Sequence, residues 1–125
     1  MAESRKSQRV GCVPGRRYAI NLADEDTAGR LVNFSRDGLA MRCSRHLQEE
    51  KLYQCAIDGY GLKDTVACQA RIVWVSAQQD RRGRRTYGAR IVRMAASDKI
   101  DLIETLHQDL TKSLTRKIKH IERKQ

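Results

Sequence analysis

The sequence predicts an all-β antiparallel barrel followed by a C-terminal α-helix, and three observations carry that prediction. Short stretches in which apolar and polar residues alternate recur between Val10 and Met94, the period of half-buried strands. Turn signals separate them, at Pro14-Gly15, Asp24-Glu25-Asp26, Asp37-Gly38, Asp58-Gly59-Tyr60-Gly61 and Gly83. Connections this short suit hairpins and not the long crossovers of a parallel sheet. From Ser97 the period changes: Ile103, Leu106, Leu110, Leu114, Ile118 and Ile121 step by three or four, which is one helical stripe.

Taken in order, residues 1–9 read as a flexible arm bearing Arg5 and Arg9, with no apolar residue after Met1 and Ala2 to anchor it. Residues 10–96 read as the barrel. Val10–Val13 opens the first strand. Arg17–Leu22 alternates, with Tyr18, Ile20 and Leu22 on one face. Thr27–Asn33 is the next strand. The run Leu39–Cys43 places Leu39, Met41 and Cys43 opposite Ala40 and Arg42. Ser44–Glu50 is a polar loop. Leu52–Ile57 and Thr65–Val75 are strands; Trp74 falls on the core side with Val66, Cys68, Ala70 and Ile72, and Val73 and Val75 imply a far end covered on both faces. Gln78–Arg85 is a solvated, arginine-rich tip, and Tyr87–Met94 closes the set. Residues 97–125 read as a basic amphipathic helix with Ser97 as its N-cap and Asp98 and Asp101 at the positive end of its dipole. At 1.5 Å per residue it is roughly 40 Å long, more than a small barrel can cover. Its second half must fray or bury its stripe against another chain.

Composition narrows the function. The 125 residues suffice for one core, and the net charge of +10 predicts anionic partners. Aromatics make up only 5% of the chain, which argues against a single-stranded nucleic-acid platform. The polar opening residues give no signal peptide and no run is long enough to span a bilayer, so a cytoplasmic location with reduced cysteines is expected. Cys12, Cys43, Cys55 and Cys68 form no CxxC pair and lie far from His46, His107 and His120, so no metal site is expected. No nucleophile–base set and no paired carboxylates mark an enzyme.

The chemistry concentrates at Asn33-Phe34-Ser35-Arg36-Asp37-Gly38. Asn33 and Ser35 are residue types that hold turns by bonding nearby backbone. Gly38 supplies either a positive φ or room for a close approach. Arg5-x-x-x-Arg9 followed by Asn33-x-Ser35-x-x-Gly38 resembles the two-part signature of PilZ domains, RxxxR and (D/N)xSxxG. Ala70–Trp74 and Tyr87–Val92 are similar to the family's late strands, and the likeness spans roughly residues 4 to 106. Arg81 and Arg85 also satisfy RxxxR; the specificity lies in the conjunction and its order. The resemblance implies a six-stranded antiparallel β-barrel with a C-terminal helix. It further implies a non-catalytic receptor for cyclic di-GMP, a bacterial second messenger, bound by Arg5, Arg9, Asn33, Ser35 and Gly38 and needing no cofactor.

That ligand suits these residues. A guanidinium donates two parallel bonds to the O6 and N7 of guanine, or to a phosphate, and stacks on a base face. Arg5 and Arg9 are expected to clamp a guanine and the phosphates, Asn33 to meet a base edge, Ser35 to donate to a phosphate oxygen, and Gly38 to admit the backbone. A bound ligand would fold the arm onto the barrel and change the surface that a downstream protein partner reads. The rival readings are an interaction adaptor working through its basic helix without nucleotide and a nucleic-acid binder driven by the basic tail; as a partner, a second copy of the chain is also expected to be able to join through that helix, as a homodimer.

Overall fold

The computed structural model describes residues 10–11, 18–23, 27–59 and 61–123. The strands are β1 (Val10–Gly11), β2 (Tyr18–Leu22), β3 (Thr27–Phe34), β4 (Gly38–Cys43), β5 (Leu52–Gly59), β6 (Val66–Val75) and β7 (Arg85–Met94), followed by helix α1 (Ala96–Arg123). The sheet order is β1-β3-β2-β5-β6-β7-β4, and β4 returns to pair with β3, so β2 to β7 close an antiparallel barrel. Strand β1 adds to the same edge of β3, beyond the end of β2, pairing Val10 with Phe34 and Gly11 with Asn33.

Alternation sets the core. Tyr18, Ile20 and Leu22 point inward, as do Leu39, Met41 and Cys43, Tyr53, Cys55 and Ile57, and Val66, Cys68, Ala70 and Ile72. Burial pushes the Cys43 thiol above its ordinary pKa. Three buried tyrosines carry their hydroxyls to partners outside the strands, two in the loop after β4 and one in α1, because a phenol taken out of water needs a partner. Tyr87 donates to the Arg45 carbonyl at 3.1 Å and accepts from the Leu47 N–H at 3.2 Å. Tyr53 accepts from the Gln48 N–H at 2.9 Å. The segment after β4 is thus a stapled loop with Leu47 buried in the core. Tyr18 donates to the Asp109 carboxylate of α1. Its ring occupies the space where a Cβ on Gly59 would stand, so that position admits only glycine.

Helix α1 caps the core with Leu102 and Leu106, and Ile103 and Leu110 pack beside them. Beyond that point Leu114, Ile118 and Ile121 are each more than half exposed, so the distal stripe has no cover from this chain's described residues. The helix begins at Ala96, and the Lys99 N–H bonds to the Ala95 carbonyl at 3.1 Å. Ser97 therefore sits inside the first turn and is not the N-cap. Trp74 also departs from expectation: it is 44% exposed, not core. A register irregularity between Ile72 and Trp74 shifts the strand's phase, which sends Val73 and Trp74 outward together. The far end of β6 is accordingly open at Val73.

Candidate functional site

The turn between β3 and β4 is locked by its own polar atoms. The Ser35 N–H donates to the Gly38 carbonyl at 2.8 Å. The Ser35 hydroxyl donates to that same carbonyl and accepts from the Gly38 N–H, each at 3.2 Å. Ser35 is 3% exposed, so in this structure its hydroxyl serves the turn and does not project toward a ligand. The Asp37 carbonyl accepts from the Ile91 N–H at 2.9 Å, which ties the turn to β7. Gly38 is not among the described residues with positive φ; it is a buried strand residue opposite Arg90. Arg36 and Asp37 are exposed, and their 3.9 Å ion pair contributes little.

Strand registers arrange the barrel's outer face into three rows. The first joins Arg71, Arg90 and Gly38. The second joins Trp74, Gly88, Ala40 and Asn33. The third joins Thr86, Arg42 and Arg30. Neighbouring rows stand roughly 7 Å apart, two residues along a strand. In the middle row the indole of Trp74 fills the space above Gly88, where any Cβ would collide with it. The result is an exposed aromatic plate flanked by guanidinium groups, one residue row from the turn. Such a face can stack a planar base and fork onto phosphates or purine edges.

Asn33, Ser35 and Gly38 are therefore brought together at one end of this face, and Asn33 stands opposite Gly11 of β1. Arg5 and Arg9 lie outside the described residues. Trp74, Arg71 and Arg90 were missed by reasoning from sequence. The available signal was the exposed parity of Arg71 and Arg90 in otherwise apolar strands, but nothing local aligns those two across the sheet.

Comparison with known proteins gives the same architecture. The profile of the PilZ domain matches residues 3–108. No curated protein sequence matches significantly. Among solved structures, the PilZ domain with c-di-GMP of YcgR from Escherichia coli superposes with a TM-score of 0.73 at 13% identity, over 90% of this chain and 98% of that one. The Bacillus subtilis inhibitor of motility, MotI/DgrA, gives a TM-score of 0.61 at 15% identity, over 91% of this chain and 53% of that one. YcgR from Escherichia coli in complex with c-di-GMP gives 0.61 at 18% identity, over 98% and 50%. The chain thus spans about half the length of the last two proteins. The match over residues 3–108 includes both signature halves and the strands that carry the rows: this chain belongs to the PilZ domain family.

Proposed function

We propose that this protein is a non-catalytic receptor for cyclic di-GMP, held between the Arg5/Arg9 arm and the Asn33–Gly38 turn. One observation carries the reading. Val10, the residue after Arg9, is the register partner of Phe34, and Gly11 is that of Asn33. Consecutive Cα atoms are about 3.8 Å apart, so the chain leaves Arg9 within reach of the turn. Arg9, and Arg5 four residues before it, can close over a ligand lying on the Trp74 row. Trp74 would stack a guanine, Arg90 would add a phosphate or base-edge contact, and Asn33 would meet a base edge. Ser35 acts by fixing the turn, and Gly38 by letting the ligand approach the strand.

The signal is a change of face. A dianionic dinucleotide offsets positive charge on the rows and draws the arm down, and a partner protein reads the altered surface. The exposed stripe at Leu114, Ile118 and Ile121 favours a second component, docking through the distal helix, either to that partner or to a second copy of this chain. Burying the part of each side chain still in water would contribute about 1–2 kcal/mol.

Calorimetry of the full chain with cyclic di-GMP, beside an Arg5→Ala/Arg9→Ala variant, tests the reading. Tight binding by the parent and a loss of about thirtyfold or more in the variant are expected, at roughly 1–3 kcal/mol per arginine. Equal affinity in both proteins would remove the arm from the site, and no heat in either would overturn the receptor reading.

A further inference from the structure

A second cationic feature lies on the same barrel, beyond the Trp74 row at the Arg42–Arg30 pair, and shares no lining residue with the Asn33–Gly38 turn. A cavity of about 280 Å³ is bounded by Arg30 of β3, Arg42 and Ser44 at the end of β4, and Arg82 and Arg84 of the β6–β7 connection, over a floor of Ala19, Ala28 and Gly29. Neither Asn33, Ser35, Gly38, Trp74 nor Arg90 lines it. Arg30 and Arg42 are direct cross-strand partners, a like-charge juxtaposition that destabilises a sheet unless an anion offsets it.

The hairpin wall is preorganised. Asp80 accepts from the backbone N–H groups of Arg82 and Arg84, each at 2.9 Å, and from Arg84 Nε at 2.8 Å. Gly83, at a φ of +75°, completes the reversal. On the opposite wall Arg42 Nε donates to Thr86 Oγ1 at 3.3 Å. In both Arg42 and Arg84 the Nε is held and the terminal nitrogens remain to fork onto a ligand. Asp80 is the one carboxylate bonded to these arginines among the described residues.

We propose that this cavity is a second anion site that takes a small oligophosphate, such as the phosphate chain of a nucleoside triphosphate. The class follows from charge and lining. Four guanidiniums against one carboxylate are poorly balanced by a single carboxylate or sulfate and well balanced by a chain of phosphates. The floor is small and aliphatic, and the one aromatic in the lining, Tyr18, is wholly buried. The site therefore reads phosphates and is indifferent to the base. Its distinctness from the turn site rests on the reading proposed above for that site.

The test is calorimetry of the full chain at low ionic strength with inorganic tripolyphosphate, ATP and GTP, alone and with saturating cyclic di-GMP. The three probes should bind with affinities within about threefold of one another, and the dinucleotide should not displace them. The Arg82→Gln/Arg84→Gln variant should lose about tenfold or more in tripolyphosphate affinity while its melting temperature and its response to cyclic di-GMP stay as in the parent. A Lys112→Gln/Lys119→Gln control removes equal charge from the helix and should bind tripolyphosphate as the parent does. Absence of tripolyphosphate binding, an equal loss in the helix control, or stoichiometric displacement by cyclic di-GMP would each overturn the proposal. Tripolyphosphate binding by a chain that ignores cyclic di-GMP would uphold it and refute the other reading instead.

Discussion

The indole of Trp74 stands in the space that a Cβ on Gly88 would claim. The two are register partners on β6 and β7, and the ring is half exposed at the centre of the outer face. Glycine here makes a seat for an aromatic plate. The Gly88→Ala substitution should unseat the ring, shift tryptophan emission to the red, and weaken cyclic di-GMP binding while the barrel still folds. Emission spectra and titration of the variant check this; an unchanged spectrum would mean that the ring has another support.

Trp74 is the only tryptophan in the chain, so its fluorescence reports on this face without labelling. Adding cyclic di-GMP should quench or shift it with saturation. The Trp74→Ala variant should lose about 1–3 kcal/mol of affinity, the worth of one base stacked on an aromatic. Stopped-flow or equilibrium titration measures both.

Tyr18 and Asp109 join the first full strand to the helix through a buried hydrogen bond. Replacing Tyr18 by Phe strips the carboxylate of that donor and should cost about 1–3 kcal/mol in urea unfolding. Replacing both, with Asp109→Leu, should recover part of the loss, since two apolar groups leave nothing unsatisfied. Strict additivity of the two changes would show that the bond contributes no coupling. By the same geometry Gly59→Ala drives a methyl into the Tyr18 ring and should destabilise by about 1–3 kcal/mol or more.

The hairpin tip should be stable to acid. The backbone N–H of Arg84, then its guanidinium and the Arg82 N–H, hold the Asp80 carboxyl below its ordinary value of 3.8. A lowered folded-state pKa gives stabilisation that is present above the ordinary value and lost only as pH falls through the lowered one. Amide resonances of Arg82 and Arg84 followed by NMR should therefore keep their neutral-pH positions down to that ordinary value and move below it. In Asp80→Asn the acid-induced movement should vanish.

Truncation after Thr111 removes a helical segment whose described apolar side chains are exposed. Barrel stability should change by no more than about 0.5 kcal/mol, as for other surface changes. Any partner capture or self-association that depends on Leu114, Ile118 and Ile121 should disappear. Sedimentation velocity of the parent, the truncation and a Leu114→Ser/Ile118→Ser variant separates self-association from docking to another protein.

Much of this molecule is local, and what is local is readable. The period of two that buries Tyr53, Cys55 and Ile57, the period near 3.6 that buries Leu102 and Leu106, and the turn chemistry of Asn33, Ser35 and Gly38 are written in neighbouring residues, because pleat, helix pitch and short-range hydrogen bonds act over a few positions. The excess length of the helix followed from its stripe alone. Register is different. Whether Arg90 faces Gly38 and Arg71, or Arg42 faces Arg30, depends on pairings between segments tens of residues apart. A single irregularity between Ile72 and Trp74 was enough to move the one tryptophan from the core to the surface. Only closure of the barrel sets the aromatic plate over Gly88 and aligns the arginine rows, since the shape of that face is fixed by how strands are staggered and not by what any one strand contains.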